Sequence, residues 1–133
     1  MGKDIHVGFR VRASGLCLAA LAGLAAAAAT AAEPVSYKNH LYPIIANRCL
    51  ACHQPGGDGF EKSGLDLRTY ASLMKGTKHG PVVVPGDAFV SNLNVLIEGR
   101  AASAIRMPHK QPPLGAHEID VFRRWVNQGA GNN

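Results

Sequence analysis

The sequence predicts one small all-α domain, rich in loops, whose short helices pack around a bound group larger than any side chain. Three observations lead there. Between residues 36 and 129 apolar side chains recur at steps of three and four in short runs, and alternation is confined to Leu65-Asp66-Leu67-Arg68. Eleven Gly and eight Pro punctuate residues 33–133, so no regular element runs long. Only 41 of those 101 residues are apolar, a modest core for one domain. A large buried cofactor would supply what the side chains lack.

Residues 1–32 stand apart. Lys3, Arg10 and Arg12 make a positive start relieved only by Asp4, and residues 16–29 form an uncharged run, mostly Ala and Leu. Ala29-Thr30-Ala31-Ala32 then precede Glu33 and Pro34. That order is the pattern of a secretory signal peptide, with the cut expected after Ala31 or Ala32 and one domain, 33–133, left behind. A retained membrane anchor is the alternative. A spanning helix wants about 20 apolar residues, and the run reaches that length only if its alanine-rich end is counted. Cys17, with no small residue immediately before it, goes with the signal. Residues 33–133 hold 11 Lys+Arg against 8 Asp+Glu, which lowers the positive excess from +5 to +3. With no clustered basic face, nucleic-acid binding is not expected.

The elements of the domain follow in chain order. Ser36 is a helix N-cap, and Tyr37, Leu41, Ile44, Ile45 and Cys49 share one helical face. Pro43 interrupts that face, which predicts a lead-in up to residue 42 and a helix from 43 to 53 with Pro in its first turn. His40 is a surface residue. Residues 54–64, dense in Gly, Pro and Asp, predict a loop. Leu65 and Leu67 suit a short extended piece along the edge of the bound group. Residues 69–74 predict a short helix capped by Thr69 with Leu73 inward. Val82-Val83-Val84, before Pro85-Gly86-Asp87, makes one extended stretch. Residues 91–98 predict a helix with Leu93, Leu96 and Ile97 inward and Gly99 at its end. The last helix starts at Gly115 or Ala116, with Glu118 placed to accept first-turn amides. Its stripe is Ile119, Phe122, Trp125 and Val126, Gly129 stops it, and Arg123 and Arg124 lie on the solvated side.

The chemistry sits in Cys49-Leu50-Ala51-Cys52-His53, the C-x-x-C-H pattern of c-type haem attachment. On a helical turn two sulfurs three positions apart point the same way and can form thioethers with one edge of a porphyrin. The next residue then offers its imidazole to the iron. A disulfide across so small a loop would staple almost nothing. A thioredoxin-like pair expects a βαβ setting, and a zinc site expects two further ligands at metal spacing. Neither context is present. A sixth iron ligand must come from elsewhere, and Met74, Met107, His40, His79, His109 and His117 are the candidates. Met107 stands in a stretch stiffened by Pro108, Pro112 and Pro113, where a thioether can be held over an iron face. Met74 falls in the apolar pattern of a helix and packs. His79 or His109 would instead give a bis-His iron. The second ring nitrogen of His53 is expected to donate to a backbone carbonyl, with Pro55 and residues 80–81 as candidates.

These residues together resemble the class I cytochrome c fold, and most closely the small cytochrome domains of planctomycete type. The resemblance rests on Tyr42-Pro43-Ile44-Ile45 running into Arg48-Cys49, on Gly64-Leu65-Asp66-Leu67, and on Val84-Pro85-Gly86-Asp87. It continues in Met107-Pro108, in Glu118-Ile119, and in Trp125-Val126 with Gly129-Ala130, so that it spans residues 36–130. It implies one covalent haem c bound through Cys49, Cys52, His53 and Met107, with His53 and Met107 as the iron ligands. Gly115 departs from the family, which tends to carry Ser or Thr there. His109 follows a single Pro108 where a longer proline run is common, which keeps His109 open beside Met107. The expected function is electron transfer, not enzymatic catalysis, in the periplasm, between redox partner proteins, without a membrane span once the signal is removed. The alternatives are a haem subunit of a membrane-associated dehydrogenase or oxidase, or a peroxidase or gas-binding protein with an open sixth site.

Overall fold

In the computed structural model, which describes Gly2 and residues 33–133, Ser36 opens the helical structure as an N-cap. Its hydroxyl accepts the Asn39 N–H at 3.1 Å, and Nδ1 of the exposed His40 accepts the Ser36 N–H at 2.9 Å. The signal peptide expected over residues 1–32, with its cleavage point and Cys17, lies outside the described residues but for Gly2. The lead-in expected up to residue 42 is a wide π turn, Tyr37–Leu41, continuous with helix α1, Tyr42–Arg48. Pro43 has no N–H for the carbonyl four residues back. In the wide turn the N–H groups of Leu41 and Tyr42 reach back five residues, to Ser36 and Tyr37, and Pro43 falls in the first turn of α1.

The loop expected at 54–64 holds a helix, α2, Asp58–Ser63. Asp58 and Glu61 place negative charge in its first turn, the Ser63 hydroxyl donates to the Gly59 carbonyl at 2.6 Å, and Gly64 ends it in the left-handed region at φ 74°. After the buried Leu65 and Leu67, which lie in no regular element, comes α3, Tyr70–Lys75, capped as expected by Thr69, with Leu73 fully buried. Helix α4, Asn92–Ile97, buries Ile97, whereas Leu93 and Leu96 are half-buried; Asn94, polar, is fully buried. A 3-10 turn, Ser103–Ile105, leads to the Met107 stretch. Helix α5, Ala116–Asn127, buries Val121, Phe122, Trp125 and Val126 while Ile119 is half-buried, and the Glu118 carboxylate accepts the Gly115 N–H at 2.7 Å.

Among the described residues there is no strand, and the all-α, loop-rich architecture is the one the sequence predicts. No helix among them is long and apolar enough to cross a membrane. The core gathers Leu41 and Ile45, Leu65, Leu67 and Leu73, Val82 and Val83, and the buried face of α5. The two arginines of α5 do more than face solvent. Arg123 pairs with Glu98 at 3.2 Å, tying α5 to the end of α4, and Arg124 donates to the Glu33 carbonyl at 2.6 Å. Residues 33–38 are held further by Gln128 and Asn133, whose side chains bond the Val35 and Tyr37 N–H groups at 2.7 and 2.8 Å. The first helical turn is therefore fixed against α5 before α1 begins, and α1 carries the chain to Cys49.

Candidate functional site

The Cys49 turn continues α1 beyond its last regular residue. The Cys49 N–H donates to the Ile45 carbonyl at 2.9 Å, and the His53 N–H to the Cys49 carbonyl at 3.0 Å. The Cys52 N–H returns to that same carbonyl at 3.1 Å, so residues 49–53 form hydrogen-bonded turns that extend α1. Both thiols are free; Cys49 is half-buried and Cys52 exposed. Burial pushes the Cys49 thiol up to about 11, with the neighbouring Arg48 pulling it partly back. It is protonated and neutral near pH 7, and a neutral thioether suits the same surroundings.

His53 is half-buried, and burial holds its imidazole below its ordinary value, with the Leu65 backbone opposing the shift. The ring is therefore neutral, the state a metal ligand requires. The carbonyl partner expected at Pro55 or residues 80–81 is not engaged. Nδ1 is buried without a hydrogen-bond partner, and the Gly80 carbonyl accepts from the Thr77 N–H and hydroxyl instead. What sets the ring is close packing by α2. A Cβ at Gly59 would lie 2.8 Å from His53 Cε1 and 2.9 Å from the Cys52 carbonyl oxygen, and one at Gly57 would lie 2.5 Å from that same oxygen. The Phe60 N–H donates to the Cys52 carbonyl and the Leu67 N–H to the His53 carbonyl, so α2 and the Leu65–Leu67 stretch are built directly onto the turn.

Met107 is half-buried against the edge of the core, as Cys49 is, and its N–H donates to the Leu96 carbonyl at 3.1 Å. Pro108 beside it is buried. The other candidates sit differently. His40, His79, His109 and His117 are exposed, and Met74 packs at the core edge from α3. Three residues around the site were not singled out by sequence. Gly57 and Gly59 pass for loop composition until their approach to Cys52 and His53 is seen. Arg48 carries a usable signal, since it is a lone charge on the apolar approach to the motif. Its guanidinium reaches Glu118 and the Pro112 and Pro113 carbonyls.

Two free thiols and a neutral imidazole with an unpartnered buried nitrogen, all within five residues of one turn, fit a covalently held haem. Comparison with known proteins agrees. A model of the family described as Planctomycete cytochrome C matches residues 49–110, a segment that opens on Cys49 and takes in Cys52, His53 and Met107. No curated protein and no solved structure matches the chain. The matched segment is of the cytochrome c class, haem-binding and electron-transferring, whose cofactor is covalent haem c with its iron. Within that class the matched segment is of the planctomycete type that the sequence resembles.

Proposed function

We propose that the chain is an exported carrier of single electrons, with residues 1–32 a signal peptide and residues 33–133 the haem domain, working in the periplasm. In this reading Cys49 and Cys52 would carry the two thioether bonds, and His53 and Met107 would be the iron ligands. The observation that carries it is the hydrogen-bonded turn of residues 49–53, with its free thiols and an imidazole wedged against Gly59. Met107 is favoured over His79 and His109 because it is half-buried at the core edge while both histidines are exposed.

When bound, the haem iron supplies a one-electron couple whose potential a thioether ligand raises relative to a second imidazole. The chain's own residues do the rest. Cys49 and Cys52 fix one edge of the group, Gly59 and α2 set the plane of His53, and the buried Leu65 and Leu67 keep water from the turn that carries it. Mass spectrometry of the exported protein should show one haem added to a chain lacking its first 31 or 32 residues. A processed chain without that mass, made where cytochrome maturation operates, would overturn the reading.

A further inference from the structure

Arg48 precedes Cys49, and its side chain reaches the far end of the Met107 stretch. Its two terminal nitrogens do separate work. Nη1 donates to the Glu118 carboxylate at 3.1 and 3.3 Å, and Nη2 donates to the Pro112 carbonyl at 2.8 Å and more weakly to the Pro113 carbonyl at 3.3 Å. The partners lie 64 to 70 residues along the chain. The side chain is 25% exposed, as is that of Glu118, so the ion pair is largely withdrawn from solvent, while the bonds to Pro112 and Pro113 lie at the surface. Glu118 in turn accepts the Gly115 N–H, the free amide where α5 begins.

Residues 107–113 are thus pinned at both ends. At the start, the Met107 N–H is tied to the Leu96 carbonyl of α4. At the finish, the carbonyls of Pro112 and Pro113 are tied to the residue that precedes the haem-attachment motif. Pro112 and Pro113 have no N–H to donate, so their backbone can be tied to the rest of the fold only through its carbonyls. A guanidinium fork meets carboxylate and carbonyls at once, which a lysine ammonium on its single nitrogen cannot do in the same geometry.

We propose that Arg48 is a positioning residue for the sixth ligand: through the Pro112 and Pro113 carbonyls it fixes the Met107 stretch relative to the Cys49–His53 turn. The proposal rests on the reading of Met107 as that ligand. It assigns to the residue beside the cysteine a role in holding Met107, carried by backbone carbonyls and not chiefly by the ion pair with Glu118.

The test uses the holoprotein and its Arg48→Gln, Arg48→Lys, Glu118→Gln and Met107→Ala variants. It reads the weak sulfur-to-iron band of the oxidised protein, the rate of carbon monoxide binding to the reduced protein, and amide exchange over residues 109–115. Charge-assisted bonds of this kind weigh enough that Arg48→Gln should speed carbon monoxide binding about tenfold, weaken the band and speed exchange. Arg48→Lys should fall between, and it carries the comparison if Arg48→Gln yields no holoprotein. Glu118→Gln, which keeps an amide oxygen for Gly115, should stay near wild type. If wild type shows the band and both Arg48 variants match it in all three readouts, the inference is overturned. It is also overturned if Glu118→Gln reproduces the full effect of Arg48→Gln, since the ion pair would then be the agent. A wild type that lacks the band and matches Met107→Ala removes the Met107 assignment itself, and this inference with it.

Discussion

Met107 and Met74 are the two methionines of residues 33–133, and both are half-buried at the core edge. Exposure does not separate them; backbone setting does. Met74 lies in α3, where it fills space, while Met107 sits on an irregular stretch between a hydrogen bond to Leu96 and the buried Pro108. Met107→Ala should therefore lower the reduction potential and open the iron to carbon monoxide, and potentiometry with flash photolysis would read both. Met74→Ala should leave both unchanged and cost about 2–3 kcal/mol as a core-edge truncation. The reverse pattern would reassign the ligand. On the proximal side Gly59 carries a sharper expectation. A methyl group there would meet the His53 ring and the Cys52 carbonyl inside 3 Å, and neither is a flexible chain end. Gly59→Ala should lower the yield of haem-loaded protein and destabilise what forms by about 1–3 kcal/mol, as overpacking does. An Ala variant with wild-type yield and melting temperature would show that α2 yields without disturbing His53.

The π turn, α3 and α5 meet in an aromatic cluster. The Tyr37 ring lies 5.3 Å from Tyr70, 5.8 Å from Trp125 and 6.0 Å from Tyr42, centroid to centroid. Tyr70 and Trp125 send their polar ends to the Ala130 and Gly131 carbonyls, but the Tyr37 hydroxyl is buried without a partner. Burial first, and the neighbouring phenols second, push it up to about 12. The folded state thus holds this proton where the unfolded chain, near 10, releases it. Its contribution is intact below about pH 10 and is lost as pH rises toward 12. Tyr37→Phe removes an orphaned hydroxyl and should be neutral or stabilising at pH 7, with a smaller loss of stability from pH 9 to 11, as denaturant titrations would measure. A Phe variant clearly less stable at pH 7 would mean that the hydroxyl has a partner in solution. At this scale the sequence was legible where side chains have one meaning. Ser36, Thr69, Glu118 and the stripe of α5 read correctly because caps and periodicity are local. Helix α2 did not, because Gly57, Gly59 and Gly64 look like loop residues when what they permit is close approach to the Cys52–His53 backbone. The wide turn before Pro43 and the ties from Arg123 and Arg124 escaped for a related reason, since their partners are distant in sequence or set by backbone geometry.

For the whole domain, the question is what the haem adds to stability. The helices α1 to α4 have six or seven residues each, too short to persist in water without tertiary packing. The fully buried side chains centre on Trp125, Phe122, Leu41, Ile45 and Leu73, where the first turn, α3 and α5 meet. Other apolar residues are covered only in part: Cys49, Leu50, Met74, Leu93 and Met107 all lie half-buried at the edge of that core. Covering even about 100 Å² of such surface contributes about 2.5 kcal/mol at roughly 25 cal/mol per Å². A natural domain of this size is stable by only about 5–15 kcal/mol. The haem-free protein, made as Cys49→Ala with Cys52→Ala, should therefore unfold at lower denaturant than the haem-bearing one by at least about 2.5 kcal/mol. Its loss of order should be uneven, with amides of the first turn and α5 keeping more protection than those of α2, α4 and the Met107 stretch, since the former share the aromatic core. Hydrogen exchange on the two forms would read that gradient directly. A haem-free protein that matched the haem-bearing one in midpoint and in protection across residues 58–63 and 92–113 would mean that the side chains alone complete the fold, and the composition argument for a cofactor-filled core would fall.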